Sequence, residues 1–179
     1  MKATSSLLSS LLLISACTAA SPDAATEDAV GAHAAEAADE RQAEVAARGA
    51  GIMPFDLDRS THVFATTDEG GVQTVRSDDG DAEQVELIRA HLREEAVRFA
   101  RGDFHDPAMI HGAEMPGLHT LVMGTDRLTV EYRDVERGGE IRYSSADPDL
   151  IITIHEWFAA QLSDHGEHAQ GSHGDSGAH

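Results

Sequence analysis

The sequence is poor in cysteine, lysine and aromatic residues, and each shortage excludes a class of protein. Among 179 residues Cys17 is the only cysteine, which excludes an intrachain disulfide, a CxxC redox pair and a cysteine-rich zinc site. The chain has 13 Lys and Arg against 32 Asp and Glu, a formal charge of −19. Nucleic-acid binding is therefore not expected, because a phosphate backbone needs clustered basic side chains. With 4% aromatic residues, the core must be small and aliphatic.

Motifs of the common catalytic sites are also missing. The chain has no GxSxG nucleophile elbow, no glycine-rich phosphate loop and no dinucleotide-binding fingerprint. We therefore expect a protein that is not an enzyme. A chain of this length allows one domain with tails.

The N-terminus predicts an export signal and a lipid anchor. Lys2 precedes an apolar run at residues 7–14, which is typical of a secretory signal peptide over residues 1–16 and too short to span a membrane. The stretch Ile14-Ser15-Ala16-Cys17 resembles the lipobox of bacterial lipoproteins. That resemblance implies cleavage before Cys17 and diacylglycerol on its thiol, so the protein would be held in the cell envelope, outside the cytoplasm, by its acyl chains. An ordinary signal peptide that contains a cysteine is the alternative.

Residues 17–50 consist mainly of alanine and acidic residues, with almost no large apolar side chain. Such a segment cannot bury a core, so we predict a disordered tether between the anchor and a domain at residues 51–166. Within it, residues 36–48 have good helix-forming composition and could be transiently helical. The histidine-rich residues 167–179 are predicted to form a disordered tail.

One pattern of strands and helix occurs twice in the domain. Alternating apolar residues predict two hairpins that turn at Gly70-Gly71 and at Gly138-Gly139, each followed by an amphipathic helix. We predict ββα units at residues 55–102 and 126–166, with helix caps at Asp81 and Asp147. Leu92 and Phe158 are expected at equivalent helix positions. The connector, residues 103–125, is expected to hold two helical turns at residues 116–123, with Gly124 as the stop. The predicted apolar faces of the two long helices are Val85, Ile88, Leu92, Ala96 and Phe99 in the first, and Ile151, Ile154, Phe158 and Leu162 in the second. The fold class is then α+β, a four-stranded, mainly antiparallel sheet with two helices packed on one face.

The eleven histidines are the strongest chemical signal. Imidazole suits zinc or copper, and thioether sulfur selects copper(I). We predict weak binding of a divalent transition metal, zinc or copper, through His111, His165 and His168, with Met115 added if the metal is copper. A joint site requires that His111 and His165 lie close together.

Two further histidines receive structural interpretations. His62 shares a strand face with Phe64 and is interpreted as a residue at the edge of the core. His91 precedes Glu95 by one helical turn, and the two are interpreted as a partly exposed pair.

The alternative hypothesis comes from a different class of function. A non-catalytic module could bind an envelope protein partner through the free face of the sheet. That hypothesis predicts an exposed apolar patch on the strands.

Several stretches of the domain resemble a family of small bacterial proteins of uncharacterised function. Among them are Thr61-His62-Val63-Phe64, Ile110-His111-Gly112, Met115-Pro116-Gly117-Leu118 and His155-Glu156-Trp157-Phe158. Members often carry the name aspartate carbamoyltransferase. Enzymes of that kind are larger, two-domain α/β proteins with basic loops for carbamoyl phosphate, whereas this chain is short, acidic and without an STRT-like phosphate motif. The resemblance therefore implies no known chemistry.

Overall fold

The computed structural model describes residues 23–173 of the chain. The chain divides into two compact units, Met1–Ala35 and Glu36–His179. In the first unit, the described residues 23–35 belong to helix α1, Asp23–Ala50. The predicted signal peptide and Cys17 lie outside the described residues.

The second unit carries the end of α1 and the remaining elements. No helix among residues 23–173 is long and apolar enough to cross a membrane. In chain order the elements are β1 Ser60–Thr67, β2 Gly70–Ser77, α2 Ala82–Phe99, α3 His105–His111, α4 Leu118–Met123, β3 Thr129–Val135, β4 Gly138–Ser144, α5 Pro148–His165 and β5 Ala169–His173.

The strands form one mixed sheet in the order β3-β4-β2-β1-β5. The first four pair antiparallel, and β5 pairs parallel with β1. The predicted α+β class is confirmed. The prediction of four strands was wrong, because a fifth strand forms within the segment predicted to be a disordered tail. Pairing of β5 uses backbone groups, and Gly171 lets Leu162 approach the strand: a Cβ there would lie 3.0 Å from Leu162 Cδ1. Neither feature requires the apolar alternation by which strands are recognised in a sequence.

Helices α2 and α5 pack on one face of the sheet, as predicted. The expectation of an aliphatic core was wrong, because the few aromatic side chains are nearly all buried and make up seven of the eighteen core residues. Phe158 of α5 lies over Gly71 of β2, where a Cβ would be 2.4 Å from Phe158 Cε2. Leu92 of α2 lies over Gly139 of β4 at 3.0 Å by the same measure. Each helix thus covers the hairpin of the other ββα unit.

The prediction that the hairpins turn at the two Gly-Gly pairs was wrong: both pairs lie within strands, and the chain turns at residues 68–69 and 136–137. The second glycine of each pair instead allows the close approach of the helix.

The ends of the helices follow local sequence signals. Asp81 caps α2 by accepting a hydrogen bond from the Gln84 N–H at 3.0 Å. Asp147 caps α5, and Pro148 occupies the first turn of that helix. In the connector, α4 ends at Gly124 as predicted, while α3 was not foreseen.

The end of α1 corrects the prediction of a disordered tether. Its described part is helical, and Val45 is buried, with 1% of its surface exposed. Arg41 forms hydrogen bonds to α5 and α3, described below. A helix rich in alanine can lie close to its neighbours, and Val45, Arg41 and Gln42 attach it where composition alone indicated no packing.

Candidate functional site

The second unit encloses a cavity of about 260 Å³ between the helix-covered sheet face and the surrounding helices. Residues of α1, α2, α3, α5 and the sheet line it, together with the segment that follows α5. Its apolar wall includes Leu92, Phe99 and Ile141. Its polar lining includes five histidines, namely His62, His91, His111, His165 and His168.

The imidazole ring of His165 contacts two of the other histidine rings. The His62 and His165 rings stack with centroids 5.0 Å apart and planes 9° apart. The His111 ring meets His165 edge-on, with centroids 5.1 Å apart. His62 lies on β1, His111 ends α3 and His165 ends α5, so only the tertiary fold brings them together.

A carboxylate fixes the orientation of His111. Asp164 Oδ2 lies 2.8 Å from His111 Nδ1. Because an ionised carboxylate only accepts hydrogen bonds, the neutral imidazole carries its proton on Nδ1 and leaves the Nε2 lone pair free. Arg41 holds Asp164 from the other side through Nε at 2.9 Å and Nη2 at 2.7 Å, and Nη2 also donates to the His111 carbonyl at 2.6 Å.

Burial keeps the imidazoles neutral. Loss of solvent, together with the neighbouring histidines, lowers the pKa of His62 to about 4 and that of His165 to about 2. Burial also lowers the pKa of His91, and it lowers that of His111 despite the opposing effect of Asp164. Burial opposes ionisation of Asp164, but the hydrogen bonds from Arg41 and His111 outweigh it and hold the pKa below its usual value. At neutral pH the cluster presents uncharged nitrogen donors beside one ionised carboxylate.

On the α2 side of the cavity, burial acts on a carboxyl group and raises its pKa. Burial, with Asp106 adding to it, raises the pKa of Glu95 to about 8. Glu95 is 5% exposed, so it is not the exposed partner of His91 that its spacing indicated. Its neighbour Arg98 is also hydrogen-bonded to Asp103 and Asp106.

Two polar groups of the cavity lining have no hydrogen-bond partner. Within the described residues, Trp157 Nε1 and Gln161 Oε1 are buried and unpaired. Both lie on α5, one turn apart, and their residues are 1% and 4% exposed. Buried polar groups normally find a partner, so these two atoms, which are closed off from solvent, lower the stability of the fold.

The structure brings together three of the four predicted metal ligands. His111 and His165 are adjacent, and His168 lines the same cavity. Met115 is buried in the hydrophobic core and does not line the cavity. The sequence interpretation missed His62 and His91 as cavity residues, because a histidine on a buried face looks the same in sequence whether it packs or lines a cavity.

In their present orientations the histidines do not form a preassembled metal centre. No group of three His, Cys, Asp or Glu side chains within residues 23–173 is arranged to hold an ion. Imidazole lone pairs lie in the ring plane, so the parallel rings of His62 and His165 do not aim at one point. Rotation of one ring would be needed.

The free sheet face lacks the expected apolar patch. In the described part of the chain, the exposed large apolar side chains lie on helices: Val97, Met109, Val122, Met123 and Ile152. Binding of a partner through the strands stays a prediction without that supporting feature.

Comparison with models of known protein families, with curated proteins and with solved structures found no match to this chain. The similarity to a family of small bacterial proteins therefore stays a prediction, and the function must be argued from the cavity itself.

Proposed function

We propose that the domain binds a divalent transition-metal ion in the histidine cavity, as a buffering or sensing protein and not as an enzyme. The main support for metal binding is the Asp164–His111 hydrogen bond of 2.8 Å beside His165. Histidines that bind metals usually donate their second ring N–H to a carboxylate or carbonyl, which fixes the tautomer and raises the basicity of the ligand nitrogen. Asp164 supplies that carboxylate.

The proposed ligands are His111 Nε2 and His165, with His62 or His168 completing the set. Burial keeps His62, His111 and His165 neutral, which favours binding because no proton has to leave these imidazoles. An all-nitrogen set suits zinc or copper(II). Met115 lies outside the cavity lining, so the thioether that favoured copper(I) does not join this set.

We also propose that the protein acts in the cell envelope, anchored through a lipid on Cys17. The supporting features are the apolar run at residues 7–14 and the lipobox-like Ile14-Ser15-Ala16-Cys17. Cys17→Ser should leave an unprocessed or soluble protein. If the variant is cleaved and still fractionates with the membrane, the anchor is not at Cys17.

Metal binding is tested by calorimetric titration of the full chain with zinc and with copper(II) at pH 7.5. The chain carries Cys17→Ser, because the only thiol would otherwise compete for either metal. His111→Gln and His165→Gln should each weaken binding at least tenfold. The matched control is His119→Gln, since His119 is exposed on α4 and does not line the cavity.

Two outcomes would contradict the proposal. One is the absence of binding to the Cys17→Ser chain. The other is an equal loss of affinity in His119→Gln and His165→Gln, which would assign binding to surface histidines.

A further inference from the structure

A few exposed residues mark where the cavity opens to solvent. Most of its lining is buried or half-buried, and the exposed residues of the described lining are Ala43, Ala46, Asp58 and His168. The two alanines lie on α1, Asp58 lies in the 3₁₀ turn Leu57–Arg59 before β1, and His168 lies just after α5. The opening is therefore bounded by the end of α1, the turn before β1 and the turn after α5.

Asp58 places a carboxylate at this opening without a partner. Within the described residues its side chain accepts no hydrogen bond and forms no ion pair; only its backbone N–H is engaged, donating to Asp56 Oδ1 at 3.0 Å. The arginines nearest to the opening along the chain are paired elsewhere, Arg59 with Asp79 and Arg48 with Glu44. A cation that approaches the opening therefore meets a carboxylate that no protein cation neutralises.

The other two acidic residues of the described lining are not available in the same way. Asp164 is held by Arg41 at 2.7 Å and by His111 at 2.8 Å. Burial raises the pKa of Glu95 to about 8, so that carboxyl group is mainly uncharged near neutral pH. The described lining contains no Arg or Lys, although the Arg41 guanidinium lies behind Asp164. Asp58 is therefore the one acidic side chain of this lining that is free to attract a cation.

The position of Asp58 affects an ion in transit more than an ion already bound. A cleft whose charges have one sign concentrates the field and raises the rate at which ions of the opposite sign arrive. The field of an exposed charge extends about 30 Å in 0.01 M salt and about 3 Å in 1 M salt. An ion held beside His111, which is 5% exposed, would lie farther inside than one passing Asp58.

We propose that Asp58 is the entry residue of the histidine cavity: its carboxylate captures a divalent metal ion at the opening, from which the ion passes to His111 and His165. This inference rests on the proposed metal binding and adds the route of the ion. Asp58 acts on the passing ion and does not join the final ligand set. It therefore speeds both entry and exit.

The test is stopped-flow mixing of copper(II) with the full chain carrying Cys17→Ser, at pH 7.5 in about 0.01 M salt. Trp157 is the only tryptophan and lines the cavity, so quenching of its fluorescence reports the arrival of the paramagnetic ion without contact. Asp58→Asn should lower the association rate constant about fivefold. Equilibrium titration of the same signal should show a smaller change in Kd. In about 1 M salt the variant and the parent chain should associate at nearly equal rates.

Two further variants separate the position of the carboxylate from its charge. Asp68→Asn is the matched control, since Asp68 is exposed in the turn between β1 and β2 and does not line the cavity. It removes the same charge elsewhere and should leave the association rate almost unchanged. Asp58→Glu retains the carboxylate and should keep the parent rate. Thermal unfolding of each variant checks that it is folded, as expected for an exposed side chain without hydrogen bonds.

Four outcomes would overturn the proposal. Association of Asp58→Asn at the parent rate would remove the entry role, and an equal loss in Asp68→Asn would replace it by a general effect of net charge. Equal changes in association rate and Kd would make Asp58 a ligand of the bound ion. Failure of the proposed metal binding has its own signature, because copper(II) would then quench Trp157 equally in the parent chain and in His165→Gln, or not at all, and both proposals would fall.

Discussion

Helices α2 and α5 occupy equivalent places in the two ββα units but bury different kinds of side chain. The buried apolar face of α2 is the predicted one, with Val85, Ile88, Leu92, Ala96 and Phe99. On α5 the buried face is rotated: Ile151 and Leu162 are only half-buried, while Trp157, Gln161 and Asp164 are buried. The cavity lies where this rotation places polar groups inside.

The α2 and α5 sides of the cavity also carry different ionisable groups. The α2 side contributes Glu95, which burial keeps protonated, and the α5 side contributes His165 beside His62 and His111, which burial keeps neutral. Burial of ionisable groups lowers stability unless they are paired or neutralised. The domain keeps these groups in their uncharged forms on both sides of one cavity, so its stability depends on pH.

The largest expected effect is a loss of stability in acid, caused by the buried histidines on the α5 side of the cavity. Since His62 and His165 have folded pKa values of about 4 and about 2, the unfolded chain binds more protons below pH 6.5. The free energy of unfolding should therefore fall on acidification, by at most about 1.4 kcal/mol per pH unit for each histidine. Urea unfolding between pH 7 and pH 4 measures it, and His62→Leu should reduce the slope. A slope that is the same in His62→Leu would mean that His62 is not buried neutral.

Next in size is the loss of the helix side chains that cover the glycines. Phe158→Ala should lower the free energy of unfolding by about 3–5 kcal/mol and Leu92→Ala by about 2–5 kcal/mol. Both side chains are buried, at 1% and 3% exposure. Urea unfolding with unchanged m-values measures both. A loss below about 1 kcal/mol in either variant would break the equivalence of the two helices.

The α2 side should respond to base. The folded pKa of Glu95, about 8, lies above its usual value, so the native state binds more protons and loses stability as the pH rises toward 8. Between pH 6.5 and 8 the decrease should reach at most about 2 kcal/mol. Glu95→Gln should abolish this decrease in urea unfolding curves. An unchanged curve would show that Glu95 ionises normally.

The smallest expected effect compares a buried ion pair with an exposed one. Asp164→Asn removes the ionised partner of Arg41 and His111 and should cost about 1–2 kcal/mol of stability. The control is Glu69→Gln, whose pair with Arg142 is exposed and should contribute less than about 1 kcal/mol. Thermal and urea unfolding of both variants provide the measurement. Equal losses would mean that the Asp164 pair behaves like a surface salt bridge.

Most of the correct fold prediction came from local sequence signals. The caps at Asp81 and Asp147 and the spacing of apolar residues located α2 and α5. Strand β5 and the packed end of α1 were missed because they are fixed by backbone pairing and by contacts with distant residues such as Asp164. Two of the three clustered histidines were predicted from the sequence, since His111 and His165 were singled out and His62 was not.

The sequence by itself determined α2, α5 and the two hairpins, since periodicity and capping act between near neighbours along the chain. It also determined that imidazole, and not thiolate, is the abundant nitrogen or sulfur donor, because the chain has eleven histidines and one cysteine. Only the tertiary structure decided which histidines meet and which polar groups remain unpaired. Those facts depend on how α5 is rotated against the sheet and on where α1 and α3 lie, and residues 53 to 123 positions apart decide them through packing.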